Sequence, residues 1–354
     1  MVMDPGIRSQ VQRKAVVLLS GGLDSLLAAR MMLEQGIHVE GINFYTGFCV
    51  EGHTHAVRWD RSRRAVRHSA LHAAEQLGIR LHIIDVIDEY KDVVLNPRHG
   101  YGAHLNPCID CKGFMVGRAR AWMEAHGFDF IVTGEVLGQR PKSQRRDTLP
   151  VIARESGAFD RLLRPLSARL LPPTLPEREG WVDRERLLNL SGRNRKPQIA
   201  MAQAGGLAYA QPAGGCCFLT DAHYARKLRD LWNSRGERRY DFDDIMLLKI
   251  GRHIRPRPHF KLIVGREEGE NHFLEGYRHR FIHLFATDTK GPLVLLQGEA
   301  EDEDLTLAAA VTARFCQGRD AETVRVSIVR PGGGEERRTV TPWPVDQLPR
   351  EWYL

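Results

Sequence analysis

The sequence predicts an α/β protein with a doubly wound parallel sheet and a smaller C-terminal α+β domain. Three observations support this prediction. Short apolar runs alternate with helical patterns from about residue 14 to 134, a Gly-Gly turn follows the first run, and short strands dominate after about residue 241. Strands that alternate with helices favour a parallel sheet covered on both faces. Ligands of such sheets bind beyond the carboxyl ends of the strands.

Apolar spacing predicts the individual elements of the larger domain. The run AVVLL at 15–19 is typical of a strand buried on both faces. Periodicity predicts further strands at 38–44, 81–87 and 130–134, and helices at 23–36, 61–77, 110–126, 195–204 and 221–233. Residues 135–185 are rich in proline and are expected to be irregular, as an active-site segment or a linker.

Composition limits the class of protein. The chain has 354 residues and a net charge of +7, which is compatible with a polyanionic partner such as RNA. No apolar run approaches the roughly 20 residues that span a bilayer, and the first residues lack the apolar stretch of a signal peptide. We therefore expect a cytoplasmic protein without membrane contact. In that compartment its six cysteines should act as thiols, metal ligands or redox groups, not as structural disulfides.

A phosphate-binding loop is predicted between the first strand and the first helix. Its residues are Ser20, Gly21, Gly22, Leu23, Asp24 and Ser25. The glycines let backbone N–H groups approach an anion, and the helix N-terminus adds partial positive charge. The serine hydroxyls can donate to phosphate oxygens, whereas the carboxylate of Asp24 suits Mg²⁺. The alternative is an ordinary serine cap on the helix, which needs no ligand.

The loop sequence SGGLDS resembles the signature SGGxDS of the PP-loop ATP pyrophosphatases. The resemblance implies that ATP is cleaved between its α and β phosphates, which gives an adenylated substrate and pyrophosphate. It also implies that Gly134, at the end of the strand 130–134, belongs to the ATP site. The lysine-bearing loop GxxxxGK[ST] of γ-phosphoryl transferases is absent from the sequence.

Two pairs of cysteines form the second candidate site. Cys108 and Cys111 are three residues apart at a predicted helix start, and Cys216 and Cys217 follow a Gly-Gly turn. Three thiolates could bind a 4Fe-4S cluster and leave one iron open. The alternatives are tetrahedral zinc bound by all four thiols, a catalytic disulfide cycle with a persulfide, and inert buried cysteines. Cys49 and Cys316 are interpreted as core or incidental.

Four further segments sharpen the resemblance. NPCIDCK at 106–112, TGEVLGQRPKSQ at 133–144, LLRPLSARLLPPT at 162–174 and PAGGCCFLTD at 212–221 resemble a tRNA-thiolating branch of PP-loop proteins, related to the tRNA 2-thiouridylases and 4-thiouridine synthetases. The resemblance covers about residues 14–235. It implies cluster ligation by Cys108, Cys111 and Cys216, with Cys217 as the alternative third ligand.

The C-terminal region is predicted to bind RNA. Residues 242–271 resemble the NFACT-type RNA-binding domain of ribosome-associated quality-control factors. A basic run there could neutralise phosphates, and its predicted contacts are Lys249, Arg252, Arg255, Arg257 and Lys261. A second basic cluster near the predicted active site comprises Arg140, Lys142, Arg145 and Arg146, which could contact tRNA or ATP phosphates. A solvated charged face is the alternative for both.

These observations predict an ATP-dependent tRNA uridine thiolase. Its catalytic residues would be Asp24, Cys108, Cys111 and Cys216, its cofactors ATP, Mg²⁺ and a 4Fe-4S cluster or zinc, and its partner tRNA; the sequence names neither a sulfur donor nor an oligomeric state. The alternatives are an RNA-binding quality-control factor with a nucleotide-binding domain, and a PP-loop enzyme that acts on a small molecule.

The predicted organisation has four parts. They are an N-terminal tail over 1–13, the PP-loop catalytic domain over 14–180, a helical extension carrying the distal cysteines over 181–240, and the NFACT-like domain over 241–354.

Overall fold

The computed structural model describes residues 12–50, 68–209, 217–344 and 347–354. These residues form two compact units. The first contains the described residues up to Thr46 and those from 68 to 209, and the second contains residues 47–50 and those from 217 onward. The second unit is therefore discontinuous in sequence. The predicted four-part subdivision of the chain stays a prediction.

A parallel sheet forms the centre of the first unit. Its strands are β1 (Lys14–Leu18), β2 (His38–Tyr45), β3 (Leu81–Asp85), β4 (Phe130–Val132) and β5 (Leu162–Leu163). They are ordered β3-β2-β1-β4-β5, and every neighbouring pair is parallel. Lys14 is opposite His38 in β2, and Ala15 is opposite Phe130 in β4. The predicted parallel α/β class is confirmed.

Helices cover both faces of this sheet. They are α1 (Leu23–Leu33), α2 (Ser69–Leu77), α3 (Tyr90–Leu95), α4 (Cys108–Ala125), α5 (Thr148–Glu155), α6 (Leu175–Arg178) and α7 (Lys196–Ala204). Successive strand residues point to opposite faces, so Val17 packs in one core with α1 whereas Val16 packs in another with α4. Burial on both faces explains the continuous apolar run of β1.

Two predicted segments differ from the structure. Residues 135–185 are not irregular throughout, since they contain α5, β5 and α6. Leu149, Ile152 and Ala153 of α5 are buried and have helical spacing, which the prolines obscured in the sequence. The helix predicted at 61–77 begins at Ser69, and residues 61–67 lie outside the described residues.

The second unit is built on an antiparallel sheet. Its strands are β6 (Arg252–Arg257), β7 (Phe260–Val264), β8 (Ile282–Ala286), β9 (Val294–Gly298), β10 (Val324–Arg330) and β11 (Gly334–Val340), in the order β11-β10-β8-β9-β7-β6. Its helices are α8 (Ala222–Arg235), α9 (Phe242–Leu247), α10 (Glu268–Glu275) and α11 (Asp302–Arg314). This architecture confirms the predicted α+β domain.

No helix among the described residues is long and apolar enough to span a membrane.

Candidate active site

The topology of the first unit creates a crevice at the carboxyl ends of β1 and β4. From β1 the chain proceeds to β2 and β3 on one side, and later to β4 and β5 on the other. The strand order therefore reverses between β1 and β4, which is where open α/β sheets bind ligands. The phosphate loop, residues 20–25, follows β1, and Gly134 follows β4 by two residues.

Gly134 packs directly on the phosphate loop. A Cβ at this position would lie 2.4 Å from the carbonyl carbon of Asp24 and 2.4 Å from the amide nitrogen of Ser25. No side chain fits in that space, so glycine is required for the close approach of the two segments. The structure thus brings Gly134 and the loop together, as the predicted ATP site requires.

The phosphate loop is held by its own serines. Ser25 donates its hydroxyl to the carbonyl of Gly22 at 2.9 Å, and the Ser20 amide donates to Ser25 Oγ at 3.3 Å. Gly21 has a φ of 75°, and a Cβ on it would lie 2.3 Å from the backbone of Ser69 at the start of α2. The turn therefore has a fixed shape that only glycine can adopt at this position.

The N-terminus of α1 points out of this turn. Gly22 is its N-cap, and no side chain of the described residues caps it. Because Ser20 and Ser25 bond within the loop, the first N–H groups of α1 are available to an anion. The arrangement suits a phosphate group better than the ordinary serine cap considered above.

Asp24 lies in the first turn of α1 and is the centre of a polar network. Gln139 donates from Nε2 to Asp24 Oδ2 at 2.7 Å, and Gln198 donates from Nε2 to Gln139 Oε1 at 3.2 Å. The guanidinium of Arg195 lies 3.7 Å from the same carboxylate oxygen. Asp24 Oδ1 is buried and accepts no hydrogen bond from any described residue. Mg²⁺ prefers oxygen ligands such as carboxylates. A buried carboxylate oxygen that accepts no hydrogen bond is therefore a suitable ligand for Mg²⁺.

A buried ion pair supports the end of β4. Arg164 donates from Nε to Glu135 Oε2 at 2.9 Å, and Thr133 donates to the same oxygen at 3.2 Å. Burial favours the neutral carboxyl, but the charges of Arg164 and Lys112 and these hydrogen bonds outweigh it, so the pKa of Glu135 is lowered. Glu135 is therefore a carboxylate at neutral pH. Its contacts join the segment after β4 to Arg164, which follows β5.

The first cysteine pair lies in the opening turn of α4. Cys108 is the first residue of the helix, and both Cys108 and Cys111 are half-buried. The amide of Cys111 donates to the carbonyl of Pro107 at 2.8 Å, which closes the first helical turn. The positive end of the helix dipole favours thiolate at this position. The predicted placement of the pair at a helix start is therefore correct.

Lys142 is a neighbour of this pair. A Cβ on Gly102 would lie 3.9 Å from Cys108 Sγ and 3.1 Å from Lys142 Cδ, so both side chains pack against one loop. Lys142 Nζ donates to the carbonyl of Tyr101 at 2.8 Å. Lys142 therefore helps to fix the loop that packs against Cys108.

The distal cysteines differ in what the structure describes. Cys216 lies outside the described residues, whereas Cys217 is described and belongs to the second unit. Within the described ranges, three or more histidine, cysteine, aspartate or glutamate side chains do not group as a metal site. The iron–sulfur cluster stays a prediction, because its predicted third ligand, Cys216, is not among the described residues. The thiols of Cys108 and Cys111 fit iron–sulfur clusters and zinc equally in donor chemistry.

The basic residues predicted to bind RNA have different environments. Arg140, Arg145 and Arg146 are exposed in the first unit, and Arg252 and Arg257 are exposed on β6. Exposed guanidinium groups can reach phosphate oxygens.

Three residues of the C-terminal basic run are engaged within the second unit. Lys249 and Lys261 are 4% and 2% exposed. Arg255 makes a bidentate pair with Asp230, at 2.5 and 2.7 Å, and Lys261 lies 3.6 Å from the same carboxylate. Buried lysines cannot reach a phosphate backbone, so we leave Lys249 and Lys261 out of the proposed RNA surface.

Two protein-family models match parts of this chain. A family model described as Thiamine biosynthesis protein (ThiI) matches residues 10–168, a span that holds the phosphate loop and the cysteine pair of α4. Residues 10–168 are a ThiI-family domain. A second family model, described as NFACT protein RNA binding domain, matches residues 251–353. Both predicted resemblances are confirmed: the first match lies mostly in the first unit, and the second lies in the second unit.

Relatives of the ThiI-family domain are named tRNA-specific 2-thiouridylase MnmA. The protein of a Roseiflexus species is 28% identical over 236 residues, which cover 61% of each chain. That of Pseudomonas putida is 26% identical over 234 residues, covering 64% of this chain and 57% of the relative. This chain thus spans about three fifths of the length of these relatives.

One solved structure also matches the ThiI-family domain in sequence. It is described as a crystal structure of a 4-thiouridine synthetase–RNA complex with bound ATP. It is 27% identical, covers 44% of this chain and 37% of that chain, and has a TM-score of 0.34.

The sequence did not indicate several site residues of the first unit. Gln139, Glu135 and Arg164 belong to motifs quoted above but were given no individual role. Arg195 and Gln198 were not indicated at all. Gln198 is fully buried although it is polar, and only the structure reveals this burial. A buried amide must find partners, and here its partner is the glutamine that contacts Asp24.

Proposed function

We propose that this chain is an ATP-dependent tRNA uridine thiolase. The observation that carries the proposal is the phosphate loop at the switch point of a parallel sheet, with the buried and unsatisfied Asp24 Oδ1 beside it. Relatives named as tRNA 2-thiouridylases and the NFACT-type domain support tRNA as the substrate. The substrate, the mechanism and the sulfur route are all part of this proposal.

The first step would be adenylation of the uridine. The carbonyl oxygen of the base attacks the α-phosphorus of ATP, the bond to the β-phosphate breaks, and pyrophosphate leaves. The N–H groups at the start of α1 and the hydroxyl of Ser20 would bind phosphate oxygens, and the Ser25 hydroxyl would do so after turning away from the Gly22 carbonyl. Asp24 would bind Mg²⁺, and Arg195 would contribute a second positive charge. Adenylation is required because a pyrimidine carbonyl oxygen is a poor leaving group.

The second step would be sulfur transfer. A sulfur nucleophile attacks the activated carbon, the C–O bond breaks, and AMP leaves with the original oxygen. Cys108 and Cys111, with Cys216, would hold a 4Fe-4S cluster, which supplies an iron site for sulfide when it is bound. Zinc, or a persulfide carried by one of these cysteines, is the alternative. The role of α4 is to hold two thiolates at its N-terminus.

Pyrophosphate exchange and nucleoside analysis together test the proposal. The full chain, prepared anaerobically, should exchange labelled pyrophosphate into ATP only when unmodified tRNA is present, and digested tRNA should contain thiouridine. Exchange with a small molecule and without RNA would indicate an enzyme of small-molecule metabolism. Tight RNA binding without any exchange would indicate a quality-control factor.

The exposed arginines of β6 give a prediction about RNA affinity. Arg252→Ala combined with Arg257→Ala should weaken tRNA binding and lower the slope of log affinity against log salt by about 1 to 2, because each phosphate contact releases counterions. Filter binding of the full chain at several salt concentrations measures both. Arg319→Ala combined with Arg337→Ala is the matched control, since these exposed arginines remove the same charge from other parts of the unit. Equal losses in the two double variants would contradict a specific surface.

A further inference from the structure

Residues 47–50 are fixed in the second unit although they precede most of the first. The ring of Phe48 is fully buried and packs edge-on against Tyr224 and Tyr240, with centroids 6.1 and 5.6 Å away. The carbonyl of Phe48 accepts a hydrogen bond from the amide of Phe218 at 2.9 Å. These contacts set the register between two short segments that are far apart in sequence.

The register places Cys49 directly opposite Cys217 in an antiparallel bridge. The hydrogen bond from Phe218 to Phe48 joins their neighbours, so the two cysteines form a non-hydrogen-bonded pair. Cα atoms in such pairs are about 4.5 Å apart, and their side chains lie on the same face of the ladder. This separation is within the range of roughly 4.4–6.8 Å that disulfides require. Both cysteines are half-buried.

A buried lysine accompanies this pair. Lys249 Nζ donates to the carbonyl of Gly47, lies 3.3 Å from Met246 Sδ, and is 5.4 Å from the ring centroid of Phe218. Burial lowers its pKa to about 8, whereas negative charge on Cys49 and Cys217 acts in the opposite direction. At pH 7 the lysine is therefore still mainly an ammonium, and its bond to Gly47 holds this charge near Cys49. A cation next to a cysteine favours the nucleophilic thiolate.

We propose that Cys49, Cys217 and Lys249 form a thiol–disulfide exchange site for small disulfides. The cysteines are the exchanging dithiol, and the lysine is a positioning residue that stabilises thiolate. This inference goes beyond the proposed function, because the exchange needs neither ATP nor tRNA. It also gives a role to Cys49, which the sequence analysis interpreted as core or incidental. Lys249, which is too buried to reach an RNA phosphate, likewise gains a role.

The exchange is balanced with a low-molecular-weight disulfide as the oxidant. The thiolate of one cysteine attacks the small disulfide, forms a mixed disulfide and releases one small thiolate. The second cysteine, as its thiolate, then attacks the protein sulfur of the mixed disulfide and releases the other small thiolate. The protein dithiol has lost two electrons and two protons, and the small disulfide has been reduced to two thiols.

Glutathione redox titration of the full chain tests the site. After equilibration with oxidised glutathione and blocking of remaining thiols, we expect tryptic peptides 31–58 and 196–226 to be joined with a loss of two hydrogens. The link should disappear with reduced glutathione. Since the second peptide contains both Cys216 and Cys217, the titration is repeated on Cys216→Ser, which should retain the link. Cys49→Ser and Cys217→Ser should each remove it, whereas Cys316→Ser, which changes a buried core cysteine, should not.

The rate of exchange tests the lysine. In Lys249→Met the fraction of thiolate should fall, but a more basic thiolate is also a better nucleophile, so we expect the rate to fall about threefold. Lys249→Arg retains the charge and should retain the rate. Absence of the 49–217 link in the titrated protein, or a link from Cys217 to Cys108 or Cys111 instead, would overturn the dithiol assignment. Equal rates in Lys249→Met and the unchanged protein would overturn the role of the lysine.

Discussion

Asp24→Asn is expected to lower pyrophosphate exchange by a factor of about 100 or more while leaving the fold intact. The amide has nearly the shape of the carboxylate and can still accept from Gln139, but it has lost the charge that would bind Mg²⁺. Removing such a group costs a few kcal/mol of transition-state stabilisation, which corresponds to roughly two to three powers of ten in rate. The buried, unsatisfied Oδ1 is the reason that the effect should be large.

The measurement is tRNA-dependent exchange of labelled pyrophosphate, with thermal unfolding as the test of folding. Glu34→Gln is the matched control, because Glu34 follows the same helix, is exposed and pairs only with Arg30 among the contacts described. It should exchange at the unchanged rate. Exchange by Asp24→Asn within a few-fold of the original protein would reject a catalytic role for this carboxylate.

Cys108→Ser and Cys111→Ser are each expected to abolish thiolation but to spare pyrophosphate exchange. The phosphate loop and the opening turn of α4 are separate parts of the first unit, so loss of a thiol should leave adenylation unchanged. A hydroxyl cannot replace a thiolate as a ligand of iron or as a sulfur carrier. The expected loss of thiouridine is therefore complete within the sensitivity of nucleoside mass spectrometry.

Iron, sulfide and zinc analysis of anaerobic protein distinguishes the sulfur routes. We expect iron and sulfide in the original protein, and their loss in Cys108→Ser, Cys111→Ser and Cys216→Ser. Cys217→Ser is the matched control and should keep both metal and thiolation under anaerobic conditions. Stoichiometric zinc without iron in active protein would exclude the cluster, and a persulfide trapped in iron-free, active protein would favour the cysteine route.

The sequence predicted the parallel sheet well because β1 is buried on both faces. Its residues show no alternation, and the glycines that follow indicate a tight turn, because glycine readily adopts the positive φ that such turns need. The close contact of Gly134 with the phosphate loop follows from the order of the strands, since both segments leave adjacent carboxyl ends. The location of the candidate site could therefore be predicted from the doubly wound topology.

The partners of Asp24 were not predictable in the same way. Gln139 and Gln198 are 59 residues apart, and neither their own neighbours nor their spacing indicates a contact. Short strands caused a similar failure, because the two residues of β5 are too few to show any periodicity. These features depend on tertiary packing alone.

Charge runs gave the least reliable site prediction. The run from Lys249 to Lys261 suggested one exposed basic surface, yet Lys261 lies in the inner strand β7, where Asp230 from α8 compensates its charge. A register shift in β6 between Ile254 and Arg257 also breaks the alternation of inward and outward side chains. Local sequence cannot show which basic residues are neutralised by an acidic partner elsewhere.

The discontinuity of the second unit has a consequence for biosynthesis. Phe48 leaves the ribosome 170 residues before Phe218, whose amide it must bind. At a translation rate of about 5–20 residues per second, the segment around Phe48 is synthesised roughly 10–30 seconds before the segment around Phe218. The second unit thus cannot fold completely from its C-terminal stretch alone, because it includes a segment that is synthesised much earlier. A nascent-chain chaperone that shields Phe48 during this interval would be expected to raise the yield of folded protein.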